Sequence, residues 1–182
     1  HVASFEGDDS AAERYLMSAL DMVVSKWVPP PPSALMWART KLGQAAHVHV
    51  EMMHNLLRRR KVEQAATHVA AVVGLIDQMD DPHERLSNLT RVAWFMIVCE
   101  ADFQRAEDYL RQAYALARQV HNESHLASAE NMLAFCAYFQ GEFEEARRGF
   151  ERAFGAFMAQ GDHHAAIEPL YMSGECCLLQ GN

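Results

Sequence analysis

The 182-residue sequence is half hydrophobic and carries 24 acidic against 16 basic side chains, a formal charge of −8. That apolar content can bury one sizeable core or a stack of small ones, which excludes a disordered tail, and the negative balance repels phosphate backbones, which argues against direct nucleic-acid binding. No apolar run approaches the roughly 18 residues of a membrane span, and His1-Val2-Ala3-Ser4 lacks the charged start and apolar run of a secretory leader, so a soluble, cytoplasmic protein is expected.

Apolar residues recur at three- and four-residue spacing nearly throughout, in a sequence rich in Ala, Leu, Met, Glu, Gln and Arg. Helix is therefore expected almost everywhere and sheet nowhere. The first helix spans residues 10–26 within a partial leading repeat (1–28), with Ala12, Leu16, Ala19 and Leu20 on one face. Pro29-Pro30-Pro31-Pro32-Ser33 then stops it, because prolines cannot continue a helix and favour a short extended segment. The stretch 29–33 is read as a spacer rather than as a ligand for an SH3- or WW-type domain, with Ser33 capping the next helix. Helical pairs are expected over 34–80, 81–121 and 122–162, and residues 163–182 open a further repeat. Both ends fall inside a repeat without a polar capping face, so a fragment of a longer array is expected, with ends open to self-association.

The chain superimposes on itself. Ala101-Asp102-Phe103-Gln104-Arg105-Ala106 matches Gly141-Glu142-Phe143-Glu144-Glu145-Ala146 at a 40-residue offset, and the match continues through Leu110 and Phe150, Ala113 and Ala153, Tyr114 and Phe154. Val62, Ala65, Val69, Val72 and Val73 form a third copy 41 residues upstream. A turn with Gly and an acidic residue, followed by aromatic, small and large residues at steps of three and four, resembles helix B of a tetratricopeptide repeat. The resemblance implies an all-α, right-handed α-α superhelix of antiparallel helix pairs, with Ala106, Ala113, Ala146 and Ala153 at close crossings. The 40-residue period is longer than the family's 34 and is similar to the extended repeats of kinesin light chains and of large bacterial LuxR-type regulators of the maltose-activator kind. In helix A the family's small residue matches Ala134 and Gly174, whereas Trp94 and Met53 fall on it in the earlier repeats.

Chemistry-bearing clusters are sparse. His47, His49 and His54 lack the spacing of a metal motif, and the pairs His121/His125 and His164/Glu168 supply two ligands each where structural zinc wants four, so neither metal nor cofactor is expected. Cys99, Cys136, Cys176 and Cys177 sit within helical patterns and read as reduced core thiols. Arg58-Arg59-Arg60-Lys61 falls at a helix C-terminus, where cations complement the macrodipole. No phosphate loop or nucleophile–base constellation can be assembled, so no enzymatic activity is expected.

The resemblance also implies a binding face, since family ligands lie against the second, fifth, ninth and twelfth positions of helix A. Those positions correspond to His47, Val50, His54 and Leu57, then Asn88, Arg91, Phe95 and Val98, then Ser128, Asn131, Phe135 and Tyr138, and finally Glu168, Tyr171, Glu175 and Leu178. The expected function is a non-enzymatic scaffold that holds a protein or peptide, with a basic or amphiphilic partner matching the charge. Two alternatives stand beside it: an inducer-sensing segment of a LuxR-type transcription activator, which would take a small molecule, and a structural subunit buried in a large assembly.

Overall fold

The computed structural model describes residues 14–15, 17–21 and 40–180. Residues 14–15 and 17–21 are helical. The remainder of the expected leading helix and the proline spacer lie outside the described residues. Between residues 40 and 180 the chain forms α1 (Lys41–Arg58), α2 (Val62–Ile76), α3 (Pro82–Phe95), α4 (Phe103–Gln119), α5 (Glu123–Phe139), α6 (Phe143–Ala159) and α7 (His163–Gln180). A π-helical turn, Met96–Glu100, extends α3, and no strand occurs among the described residues.

Short polar residues start these helices. Thr40 Oγ1 accepts from the Gly43 N–H at 2.9 Å, Asp81 from Glu84 at 3.2 Å, Asn122 from His125 at 3.1 Å and Asp162 from Ala165 at 3.0 Å, each satisfying an orphan donor of the first turn. Left-handed residues end them: Arg60, Ala101 and His121 have φ of 57°, 52° and 52°, and Gly141 and Gly161 have 83° and 74°. The next N–H then folds back on a carbonyl five residues earlier, Lys61 to Leu56, Asn122 to Ala117, Glu142 to Ala137 and Asp162 to Phe157. Such tight reversals leave α1 with α2, α4 with α5, α5 with α6 and α6 with α7 as packed antiparallel neighbours.

Two compact units meet within α3, one ending at Asn88 and the other starting at Leu89. In the first, Val50, Met53 and Leu56 of α1 are buried, as are Val69, Val72 and Ile76 of α2. The Glu84 carboxylate, in a residue 2% exposed, accepts from the Thr40 N–H at 2.8 Å and from its hydroxyl, tying the start of α3 to the start of α1. A side chain at Gly43 would overlap that carboxylate.

The second unit is built on small residues. Ala106, Ala113, Ala146 and Ala153 are all 0% exposed, in agreement with the crossings expected of them. Gly149 lies so close to α5 that a Cβ built there would meet the Ala134 Cβ at 2.7 Å. Phe150 packs with Ala134, Ala137, Ala146 and Cys176. Burial raises the Cys136 thiol pKa to about 12, and all four cysteines are free, which makes the buried thiols packing groups rather than nucleophiles.

One departure from the sequence alignment has consequences for the site. The capping residues Thr40, Asp81, Asn122 and Asp162 are spaced by 41, 41 and 40 residues, while α4 and α6 begin 40 apart. The first and second repeats therefore hold one residue more than the third between the helix A cap and the helix B cap, Thr40 to Lys61 and Asp81 to Asp102 against Asn122 to Glu142. In the second repeat the π turn absorbs it: the Asp102 N–H reaches back six residues to the Met96 carbonyl, where the other reversals span five. Counted from the caps, the small position of helix A is Ala93, which is 0% exposed, and not Trp94. The same count replaces Met53 by Met52 in the first repeat.

Candidate partner-binding cleft

Three helices that begin repeats, α3, α5 and α7, converge on one side of the second unit around a cleft of about 230 Å³. Trp94, Ile97 and Val98 form one wall, from the end of α3 and its π turn; Asn131, Met132, Phe135 and Phe139 of α5 form the floor; Glu168 of α7 stands at the far side. Trp94, Val98 and Phe139 are 36, 55 and 52% exposed, an apolar cluster left at the surface. Phe139 is held by stacking on Phe103 at 5.8 Å and on Phe135 at 6.3 Å, and Phe135 is braced edge-on against buried Phe150 at 5.0 Å.

One polar pair crosses this surface. Asn131 Nδ2 donates to Glu168 Oε2 at 2.9 Å, linking α5 to α7. Asn131 is 8% exposed, and its Oδ1 is buried without a hydrogen-bond partner. A larger cleft, about 300 Å³, lies on the other side of α5 between Arg111, Tyr114, Glu130, Glu145, Gly149 and Arg152. Three of its four charged side chains are matched, Arg152 with Glu130 at 3.3 Å and Arg111 with Glu107 at 2.8 Å, while Glu145 makes no ion pair among the described residues, and no orphaned buried side-chain atom lines it. The smaller cleft has the better claim to a partner, because it combines exposed aromatics with an unsatisfied acceptor.

The expected site residues divide by repeat. Asn131, Phe135, Val98 and Glu168 come together in the cleft. Tyr138 lies beside it, packed edge-on to Phe139 and Phe143. Ser128 is half-buried, its hydroxyl donating to the Ser124 carbonyl at 2.9 Å. Tyr171 is 63% exposed and donates to Glu175 Oε1 at 2.8 Å, a bond that raises the tyrosine pKa.

The second-repeat assignments need correction. Phe95 is 0% and Asn88 3% exposed, so neither lines a surface, and Asn88 Nδ2 instead donates to the Glu84 carbonyl at 2.8 Å. Arg91 is half-buried and is not among the cleft-lining residues. The extra residue in the π turn is the reason, since a one-residue shift rotates a helix by about 100°. Counting from Asp81 replaces Asn88, Arg91 and Phe95 by Ser87, Thr90 and Trp94, and Trp94 is the one of these that lines the cleft with Phe135. The cap spacing was visible in the sequence and would have shown it.

In the first unit, His47 and His54 are half-buried on α1, His54 lying 4.0 Å from Glu51. His49, weighed above only as a metal ligand, instead has its Nδ1 2.9 Å from that of His68 on α2, and its pKa is lowered by burial and then by His68. No group of three or more His, Cys, Asp or Glu that could hold a metal occurs among the described residues. No helix among them is long and apolar enough to cross a membrane.

Comparison with known proteins agrees with this architecture. Residues 97–157 match the tetratricopeptide repeat family, and the chain as a whole has a tetratricopeptide-like fold of helical repeats. Among solved structures it is similar to BtubC (BKLC) from P. vanneervenii, with a TM-score of 0.66 and 16% identity over 97% of this chain and 76% of that one. It is also similar to the nearly identical TPR-like repeats of a putative kinesin light chain from Podosopora anserina, with a TM-score of 0.66 and 14% identity over 95% of this chain and 79% of that one. A Q17M form of those repeats gives a TM-score of 0.63 at 14% identity, over 95% of this chain and 84% of that one. No curated protein matches the sequence.

Proposed function

We propose that the chain is a non-enzymatic interaction scaffold that holds a segment of a partner protein in the cleft between α3, α5 and α7. Tetratricopeptide-like repeats generally mediate protein–protein interaction. The observation that carries the reading is the exposure of Trp94, Val98 and Phe139 around one concavity that also holds the Asn131–Glu168 pair. Aromatic side chains on a rigid helical platform supply contact area at low entropic cost, the property of binding hot spots. At about 230 Å³ the cleft is smaller than the roughly 300–1,000 Å³ of small-molecule pockets, which favours side chains of a segment over an enclosed inducer.

The test begins with a photo-crosslinking residue at Phe139, and a control at exposed Gln112 on α4, in the cell of origin. The captured protein is then titrated calorimetrically against folded variants. Trp94→Ala and Phe135→Ala should each cost about 2 kcal/mol or more of binding, while Arg59→Ala, on the turn after α1, should change little. A partner captured at Gln112 alone, with affinity indifferent to Trp94 and Phe135, would remove the cleft from the account.

A further inference from the structure

Glu168 differs from those acidic residues of the second unit that arginines neutralise. Glu107, Glu130, Glu144 and Glu151 each pair with an arginine of the same chain. Glu168 is exposed and makes no ion pair among the described residues, its one hydrogen bond there being that accepted from Asn131. Between Arg152 and Asn182 the sequence has no Lys or Arg, whereas Asp162, Glu168 and Glu175 fall there. None of the residues lining the cleft is basic. Asn131 positions the carboxylate by holding Oε2, and Oε1 is left to accept from outside. Beneath it, Asn131 Oδ1 is an acceptor buried without a donor, a condition that favours a ligand able to supply one.

Resting on the reading that the cleft binds a partner, we propose that its occupant is a basic, amphipathic segment of another protein. One apolar side chain of that segment enters between Trp94 and Phe135, a Lys or Arg beside it pairs with Glu168, and an N–H donor of the segment turns toward Asn131. The apolar wall provides contact area. The fixed, uncompensated carboxylate provides selection, because an acidic segment would be repelled and a neutral one would leave Glu168 unmatched.

The probe is a random dodecapeptide library displayed on phage, selected on the whole chain and counter-selected on Trp94→Ala. Winning peptides are measured by calorimetry as Lys/Arg, Gln and Glu versions. Expected are peptides that join an apolar residue to Lys or Arg. The basic version should bind about three- to five-fold more tightly than the Gln version, and this preference should vanish in Glu168→Gln, which keeps an acceptor for Asn131. Glu168→Lys should reverse the preference toward the acidic version, which a merely structural role for Glu168 would not do, and equal melting curves confirm that both variants fold. Peptides that need Trp94 but are indifferent to charge and to Glu168→Gln overturn this inference and leave the cleft reading intact. Failure to enrich any Trp94-dependent peptide overturns both. Concentration-dependent self-association that Trp94→Ala abolishes makes a second copy the occupant and likewise overturns the proposal.

Discussion

Adding one methyl group to α6 should have opposite effects at two positions. At Gly155 a Cβ meets nothing within 4 Å, whereas at Gly149 it would meet the Ala134 Cβ at 2.7 Å. Replacing Gly by Ala inside a helix gains about 0.8–1.0 kcal/mol from restricted unfolded-state freedom and better helix propensity. Gly155→Ala should realise most of that gain. At Gly149 the obstructing atom is the first side-chain atom of Ala134, which has no rotamer to move, so α5 and α6 must separate. Separation loosens the packing around Ala146 and Phe150 in the same cluster, and overpacking of this kind costs about 1–3 kcal/mol. The net effect of Gly149→Ala is a loss of about 1 kcal/mol, some 2 kcal/mol below Gly155→Ala. Urea denaturation followed by circular dichroism measures both variants against the parent chain. The double variant Ala134→Gly/Gly149→Ala moves the methyl group across the crossing and should recover more than the sum of the single changes allows. If Gly149→Ala stabilises as much as Gly155→Ala, the crossing is not as close as described and the argument fails.

Glu84→Ala should cost about 2 kcal/mol, because it strips a carboxylate from the Thr40 amide and hydroxyl in a buried place; an unchanged urea midpoint would show those bonds to be dispensable. His49 has a folded-state pKa below its ordinary 6.5, from burial and from His68, so below that pH the unfolded chain binds more protons and stability falls as the solution is acidified. His49→Asn should flatten that acid-side loss in melting curves between about pH 7.5 and 5, and an equal loss in the variant would assign it elsewhere. EDTA should leave the melting curve of the chain unchanged, because no group of three or more metal-ligating side chains assembles among the described residues; a fall in melting temperature would reveal a metal bound elsewhere in the chain.

Periodicity and self-similarity were enough to read the helices, the repeat and the crossings from the sequence. A small residue every three or four positions, Ala106, Ala113, Ala146 and Ala153, is what two closely crossing helices require, and local spacing records it directly. For the same reason Asn131, Phe135 and Glu168, in repeats whose register is regular, could be given their helix A positions from spacing alone. Asn88 and Phe95 could not be placed by the same ruler. An offset measured on helix B was carried back across an extra residue in helix A, and the backbone absorbed that residue as a π turn at Met96–Glu100 rather than as a longer loop. Where a helix takes up an insertion depends on which register buries its apolar face, and that is decided by the packing that places Ala93 and Phe95 inside and leaves Trp94 on the cleft. The Asn131–Glu168 bond and the His49–His68 contact are likewise tertiary facts. Their members are 37 and 19 residues apart on different helices, and no spacing rule joins them until the helices are packed.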